Sequence, residues 1–117
     1  MIEFDPKKAQ IEQLNVVFEE WEYLKKIILE AHVMRNSDMK TPMHKAIALY
    51  ENLLSLVSTD RAFEPLRLKE YEVLPLNGEE RFLFIIRKPG HYAAFCQLDG
   101  LFEETRKKIA RLRVKYK

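Results

Sequence analysis

The sequence predicts an all-α protein: an irregular bundle of three long helices and one short one, in a single domain over residues 1–117. Three observations carry that expectation. Apolar residues recur at spacings of three, four and seven along three long stretches, the pattern of helices with one buried face. Leu, Glu, Lys and Ala are frequent and long alternating runs are scarce, which favours helix over strand. Only three glycines and no low-complexity tract leave little material for linkers or a second domain.

Asp5-Pro6 has the form of a helix start, an acidic cap before a proline at the first helical position. Ile11, Leu14, Val17, Phe18, Trp21, Leu24, Ile28 and Ala31 then recur at helical spacing out to about Met34 or Arg35. The opposite face holds Glu12, Glu19, Glu22, Lys26 and Glu30, with Glu22 and Lys26 at the favourable i, i+4 spacing. A polar connection, 36–41, leads to a second cap-and-proline start at Thr41-Pro42. The stripe of that helix is Met43, Ala46, Ile47, Tyr50, Leu53, Leu54 and Val57. Residues 59–76 are the least regular part, punctuated by Pro65 and Pro75, and accommodate a short helical turn or a functional loop.

The stretch 74–104 reads as two helices joined by a tight Pro89-Gly90 turn. Asn77 suits the N-cap and Glu80 stands where a capping box places its acid. Glu79 and Glu80 complement the positive end of the helix dipole, Arg87 and Lys88 the negative end. The last helix carries Tyr92, Phe95, Leu98, Leu101, Phe102, Ile109 and Leu112 on its buried stripe and runs to about Lys115. Gly100 inside it costs about 1 kcal/mol relative to alanine and marks a kink or a close helix approach. A competing α+β reading takes Asn77-Gly78 as a hairpin turn between 71–76 and 82–86. Pro75 cannot donate to such a ladder, and Glu79-Glu80-Arg81 opens the second strand without alternation; helix is the favoured reading.

The run Pro75-Leu-Asn-Gly-Glu-Glu-Arg-Phe-Leu-Phe-Ile85, followed by Pro89, His91-Tyr92 and Phe95-Cys-Gln-Leu98, resembles the signature of the YpoC-like family of low-GC Gram-positive bacteria. Trp21 and the Thr41-Pro42 start are looser echoes of it. The resemblance implies a small helical cytoplasmic protein of uncharacterised function and supplies no catalytic residues.

The residues themselves point away from catalysis. His32, His44 and His91 stand alone, without HExxH or ExxH spacing, and read as surface, boundary or turn residues. Cys96, the one cysteine, has no CxxC partner and reads as a small core residue. Glu19-Glu20, Glu79-Glu80 and Glu103-Glu104 are adjacent pairs, whose members diverge by about 100° on a helix and do not share a proton or metal. No phosphate loop, GxSxG or dinucleotide fingerprint occurs. No catalytic residue, cofactor or metal is therefore expected; an enzyme built on His91, Cys96 and Glu80 would need a cleft that joins them.

MIEFDPKKAQ lacks an export segment and no apolar run approaches about 18 residues, so the chain reads as cytoplasmic, with no membrane partner. Net charge is +2, but it is unevenly placed. Residues 1–60 sum to −3, and 61–117 to +5. The basic end, 106–117, holds Arg106, Lys107, Lys108, Arg111, Arg113, Lys115 and Lys117 and no acid. One of its two readings is a polyanion-binding helix, with Tyr116 for stacking and Arg81, Arg87 and Lys88 as extensions if the helices pack side by side. The alternative is a charged, soluble helix end. Phe82 and Phe84 cannot both face inward on one helix, which leaves Phe84 as the partner contact. The functional expectation is a non-catalytic protein–protein interaction or accessory module with an unknown protein partner, its apolar surface also suited to homo-oligomers. The runner-up is a nucleic-acid-binding accessory protein.

Overall fold

The computed structural model describes residues 1–34 and 38–116. Its α-helices are α1 (Ile11–Val33), α2 (Lys40–Leu56), α3 (Gly78–Arg87) and α4 (Tyr92–Lys115), with a 3₁₀ segment at Pro65–Glu70. The protein is all-α, three long helices and one short, and residues 78–87 are helix rather than the second arm of a hairpin. The 3₁₀ segment supplies the helical turn expected in 59–76. The stripe of α2 is buried as read, and that of α1 is buried except for Ile11, which is exposed in the first turn, and Phe18, which is half-buried. In α4 the buried positions match except Tyr92, which is exposed and stacks on His32 at 4.2 Å.

Trp21 centres the core. Its ring is fully buried, stacked 4.3 Å from Phe102 of α4 and 6.1 Å from Phe95. Tyr50 of α2 meets Phe102 edge-on at 5.2 Å and Phe82 of α3 at 5.5 Å. Aromatic contacts of this geometry add to the area they bury, so one cluster ties all four helices together. The Tyr50 hydroxyl shares a hydrogen bond of 2.7 Å with Thr105 Oγ1 in this interior. Burial raises the Tyr50 pKa, which keeps the phenol neutral and able to donate.

The N-terminus departs from expectation. α1 begins at Ile11, not at Asp5-Pro6. Residues 5–9 instead form one isolated turn, closed by Ala9 N–H to the Asp5 carbonyl, with Asp5 Oδ1 accepting from Lys7 N–H. Before it, Ile2 and Phe4 alternate with polar neighbours and are buried, bridging Tyr71 and Ser58 respectively. Lys8 reaches the carbonyls of Ser55, Ser58 and Asp60 and so occupies the negative C-terminal end of α2. The Asp-Pro signal makes a turn, and the helix waits until this segment has closed the end of the bundle.

The starts of α2 and α3 also differ in their chemistry. Asp38, rather than Thr41, accepts at the start of α2, from Lys40 N–H and from the Thr41 hydroxyl. These donors hold its carboxyl below the usual range, the Thr41 bond most of all. Residues 36 and 37 of the expected connection lie outside the described residues. At α3, Asn77 stands at the N-cap in the left-handed region (φ 56°), and its side chain makes no capping bond. A side chain at Gly78 would collide with that of Leu74. The Asn-Gly pair thus serves a left-handed helix entry and a close approach, not a hairpin.

Candidate interaction surfaces

Two features clasp α3 to the body. Phe82 and Ile85 enter the core. Beside them, Arg81 donates Nε to Gln97 at 2.8 Å and its two terminal nitrogens to Glu104 at 2.9 and 2.7 Å. Such a two-pronged bond is directional. It holds the Glu104 carboxyl below its ordinary range and lies over Gly100, where a Cβ would come within 2.8 Å of Arg81 Nη2. The close approach anticipated at Gly100 is therefore to an α3 side chain, within an unbroken α4. Arg81 is consumed by this clasp and does not extend the basic end.

With one side of α3 so held, the other faces outward. Phe84 is 37% exposed and Leu83 40%, and Ile86 is also exposed. Phe84 lies where the sequence reading placed it; Leu83 and Ile86 were missed. The signal for Leu83 was present, since Glu80, Leu83, Phe84 and Arg87 follow the i, i+3, i+4, i+7 spacing of a second helical stripe. All four are exposed, and among the described residues neither Glu80 nor Arg87 forms an ion pair.

The basic end divides into two sets. Arg113 donates to the Ala9 carbonyl at 2.7 Å and Lys108 to the Leu74 carbonyl at 3.1 Å. Arg106 lies 5.1 Å from the Phe18 ring centroid and 3.7 Å from Glu103. These three fasten α4 to the body. Lys107, Arg111 and Lys115 recur every fourth residue on an exposed face and form no ion pair among the described residues. Lys107, Lys108 and Arg111 border a shallow cavity of about 320 Å³ against Pro75-Leu76. Lys117 lies outside the described residues. Arg87 and Lys88 sit at the turn into α4, about 20 Å along the helix from Arg106, and so do not join the basic end.

The remaining candidates are scattered. His32, His44 and His91 are exposed. Cys96 is exposed as well, not a core residue, because α4 turns Phe95 inward and its neighbour out. Among the described residues no hydrogen bond links His91, Cys96 and Glu80, and no group of three or more His, Cys, Asp or Glu is placed to hold a metal ion. Glu103 and Glu104 diverge, to Arg106 and Arg81 respectively. No described helix is long and apolar enough to cross a membrane.

Comparison with known proteins gives one consistent direction. A protein of Bacillus subtilis (strain 168), "Uncharacterized protein YpoC", is 32% identical over 99 residues, covering 79% of this chain. The match spans 59% of that relative's own length. No solved structure matches. The model of the family described as YpoC-like protein matches residues 11–117, so that α1 to α4, with the clasp and both exposed surfaces, lie within it. The chain belongs to the YpoC-like family.

Proposed function

We propose that this protein is a non-catalytic interaction module that binds a protein partner through the outer face of α3. The observation that carries the reading is the pair Leu83 and Phe84, large apolar side chains partly exposed side by side on a helix whose opposite face fills the core. Exposed apolar residues scattered singly are ordinary, but a contiguous set flanked by charge is the usual form of a docking surface. Aromatic side chains at the centre of such a set carry a large share of binding energy. The test replaces Phe84 with a photoreactive benzophenone amino acid in the native cell, with the exposed Val16 of α1 as the control position. A discrete adduct from position 84, absent from position 16 and abolished by L83D, is the expected result. Equal labelling from both positions would sink the reading.

A second reading rests on the row Lys107, Arg111 and Lys115: these cations suit a phosphate backbone. Deleting the basic end would strip the buried Ile109 and Leu112 from the core, so charge reversal is the cleaner test. If this reading holds, single- or double-stranded DNA or RNA binds at low salt, and K107E/R111E abolishes the salt-sensitive anisotropy change. No binding at low salt removes it.

A further inference from the structure

We propose that the outer face of α3 is covered by a second copy of this chain, packed antiparallel about a two-fold axis that passes between Leu83 and Phe84. The proposal rests on the reading of that face as a docking surface and names its occupant. The argument is charge complementarity along the stripe Glu80, Leu83, Phe84 and Arg87. The stripe is acidic at one end, apolar in the middle and basic at the other. Glu80 and Arg87 are seven residues apart, about 10.5 Å along the axis, and equidistant from the midpoint between Leu83 and Phe84. A two-fold axis through that midpoint brings Glu80 of each copy opposite Arg87 of the other, and Leu83 opposite Phe84. Both charges of each pair are exposed, and neither has an ion partner among the described residues.

An isologous contact of this kind is self-complementary by construction, and the i, i+3, i+4, i+7 spacing is that of a seam between two helices. A parallel arrangement would set Glu80 against Glu80 and Arg87 against Arg87, so the same charges that favour the antiparallel pair oppose the other. The helix dipoles also run antiparallel in the favoured pair. α3 has ten residues and presents only about 15 Å of length. The contact therefore belongs to the small, weak class, with association expected in the micromolar to submillimolar range.

The test is sedimentation equilibrium of the full chain over that concentration range, beside E80K, R87E and E80K/R87E, each checked for native helicity by circular dichroism. In a two-fold dimer each single reversal converts two attractive contacts into two repulsive ones, weakening association at least roughly tenfold. The double reversal restores opposite charges across the axis and returns the affinity towards that of the unaltered chain. A second measurement does not depend on the helix tolerating reversed charge. In a C96S background, E80C/R87C forms a covalent dimer on mild oxidation, while E80C alone and R87C alone do not. A chain that is monomeric throughout overturns the proposal, as do single reversals without effect or cross-linking by E80C alone. If it is monomeric and the photoreactive group at position 84 still labels another protein, the two-fold fails and the docking reading stands. If that group labels nothing, both fail.

Discussion

On its inner side α3 presents Phe82 and Ile85, which are 1% and 0% exposed. One residue on from each, Leu83 and Ile86 stand outside with Phe84, apolar side chains of the same kind left to solvent. Burial of such a side chain contributes about 1.5–3 kcal/mol, and only the inner pair gains it in full. α3 is amphipathic, with Phe82 and Ile85 turned to the core and Glu80 and Arg87 bounding an outer face on which Leu83, Phe84 and Ile86 stand exposed. The difference separates two rows on one helix: the inner pair fills the core, while the outer residues keep part of their apolar surface in solvent.

The widest separation between the two faces is expected from a pair of truncations. F82A opens a cavity against Tyr50, 5.5 Å away, and is expected to cost about 3–5 kcal/mol in urea unfolding. F84A removes a half-solvated ring and is expected to stay within about 0.5 kcal/mol at a concentration where the chain is dilute. Equal losses would break the comparison by showing that Phe84 is part of the core.

The inner face also depends on a polar pair beneath it. Y50F deletes the hydroxyl that meets Thr105 Oγ1 at 2.7 Å and leaves the threonine buried without that partner. The expected loss is about 1–2 kcal/mol, and Y50F/T105V should recover part of it, because an apolar pair leaves nothing unpaired. A double variant no more stable than Y50F would show that the bond is not what holds the site.

Much of this arrangement was legible in the sequence because it repeats at helical spacing. The stripes of α1, α2 and α4 and the inward turn of Phe82 follow from local periodicity. What could not be read depends on partners far along the chain. Ile2 and Phe4 find their places only through Tyr71 and Ser58, and Lys8 only through carbonyls about fifty residues away. The Asn77-Gly78 signal was ambiguous because a left-handed residue before glycine opens a hairpin or a helix; a type I′ hairpin turn needs positive φ at both positions, and here Asn77 alone takes it. The seven basic residues of 106–117 looked alike by composition. Three are spent on a carbonyl, a ring or a carboxylate of the same molecule, which composition cannot show.

Which side of α3 becomes the inner one is sharpened by the Arg81–Glu104 clasp. The Arg81 hydrogen bond holds the Glu104 carboxyl below its ordinary value of 4.5. A depressed carboxylate contributes its stability above the unfolded value and loses it as pH falls through the folded one. E104Q is therefore expected to cost about 0.5–1 kcal/mol at neutral pH, modest because Glu104 is partly exposed. The cost should shrink towards zero in acid below pH 4.5. A cost that grows as the solution is acidified would contradict the assignment.

The smallest expected effect is at Gly100, and it separates the clasp from the helix that carries it. Alanine there gains about 1 kcal/mol of helix propensity, but its Cβ would stand 2.8 Å from Arg81 Nη2 and 3.3 Å from Glu104 Oε2. The group that must move is the end of a flexible side chain, so the guanidinium swings aside and the fold persists. Loss of the clasp offsets the gain, and G100A is expected to change unfolding free energy by less than about 0.5 kcal/mol. The informative quantity is the coupling. With the guanidinium displaced, E104Q should cost almost nothing in the G100A background, whereas it costs its full amount when Gly100 is kept. An equal cost in both backgrounds would mean that Arg81 holds Glu104 without needing the bare backbone at Gly100, and that the clasp adjusts around an added Cβ.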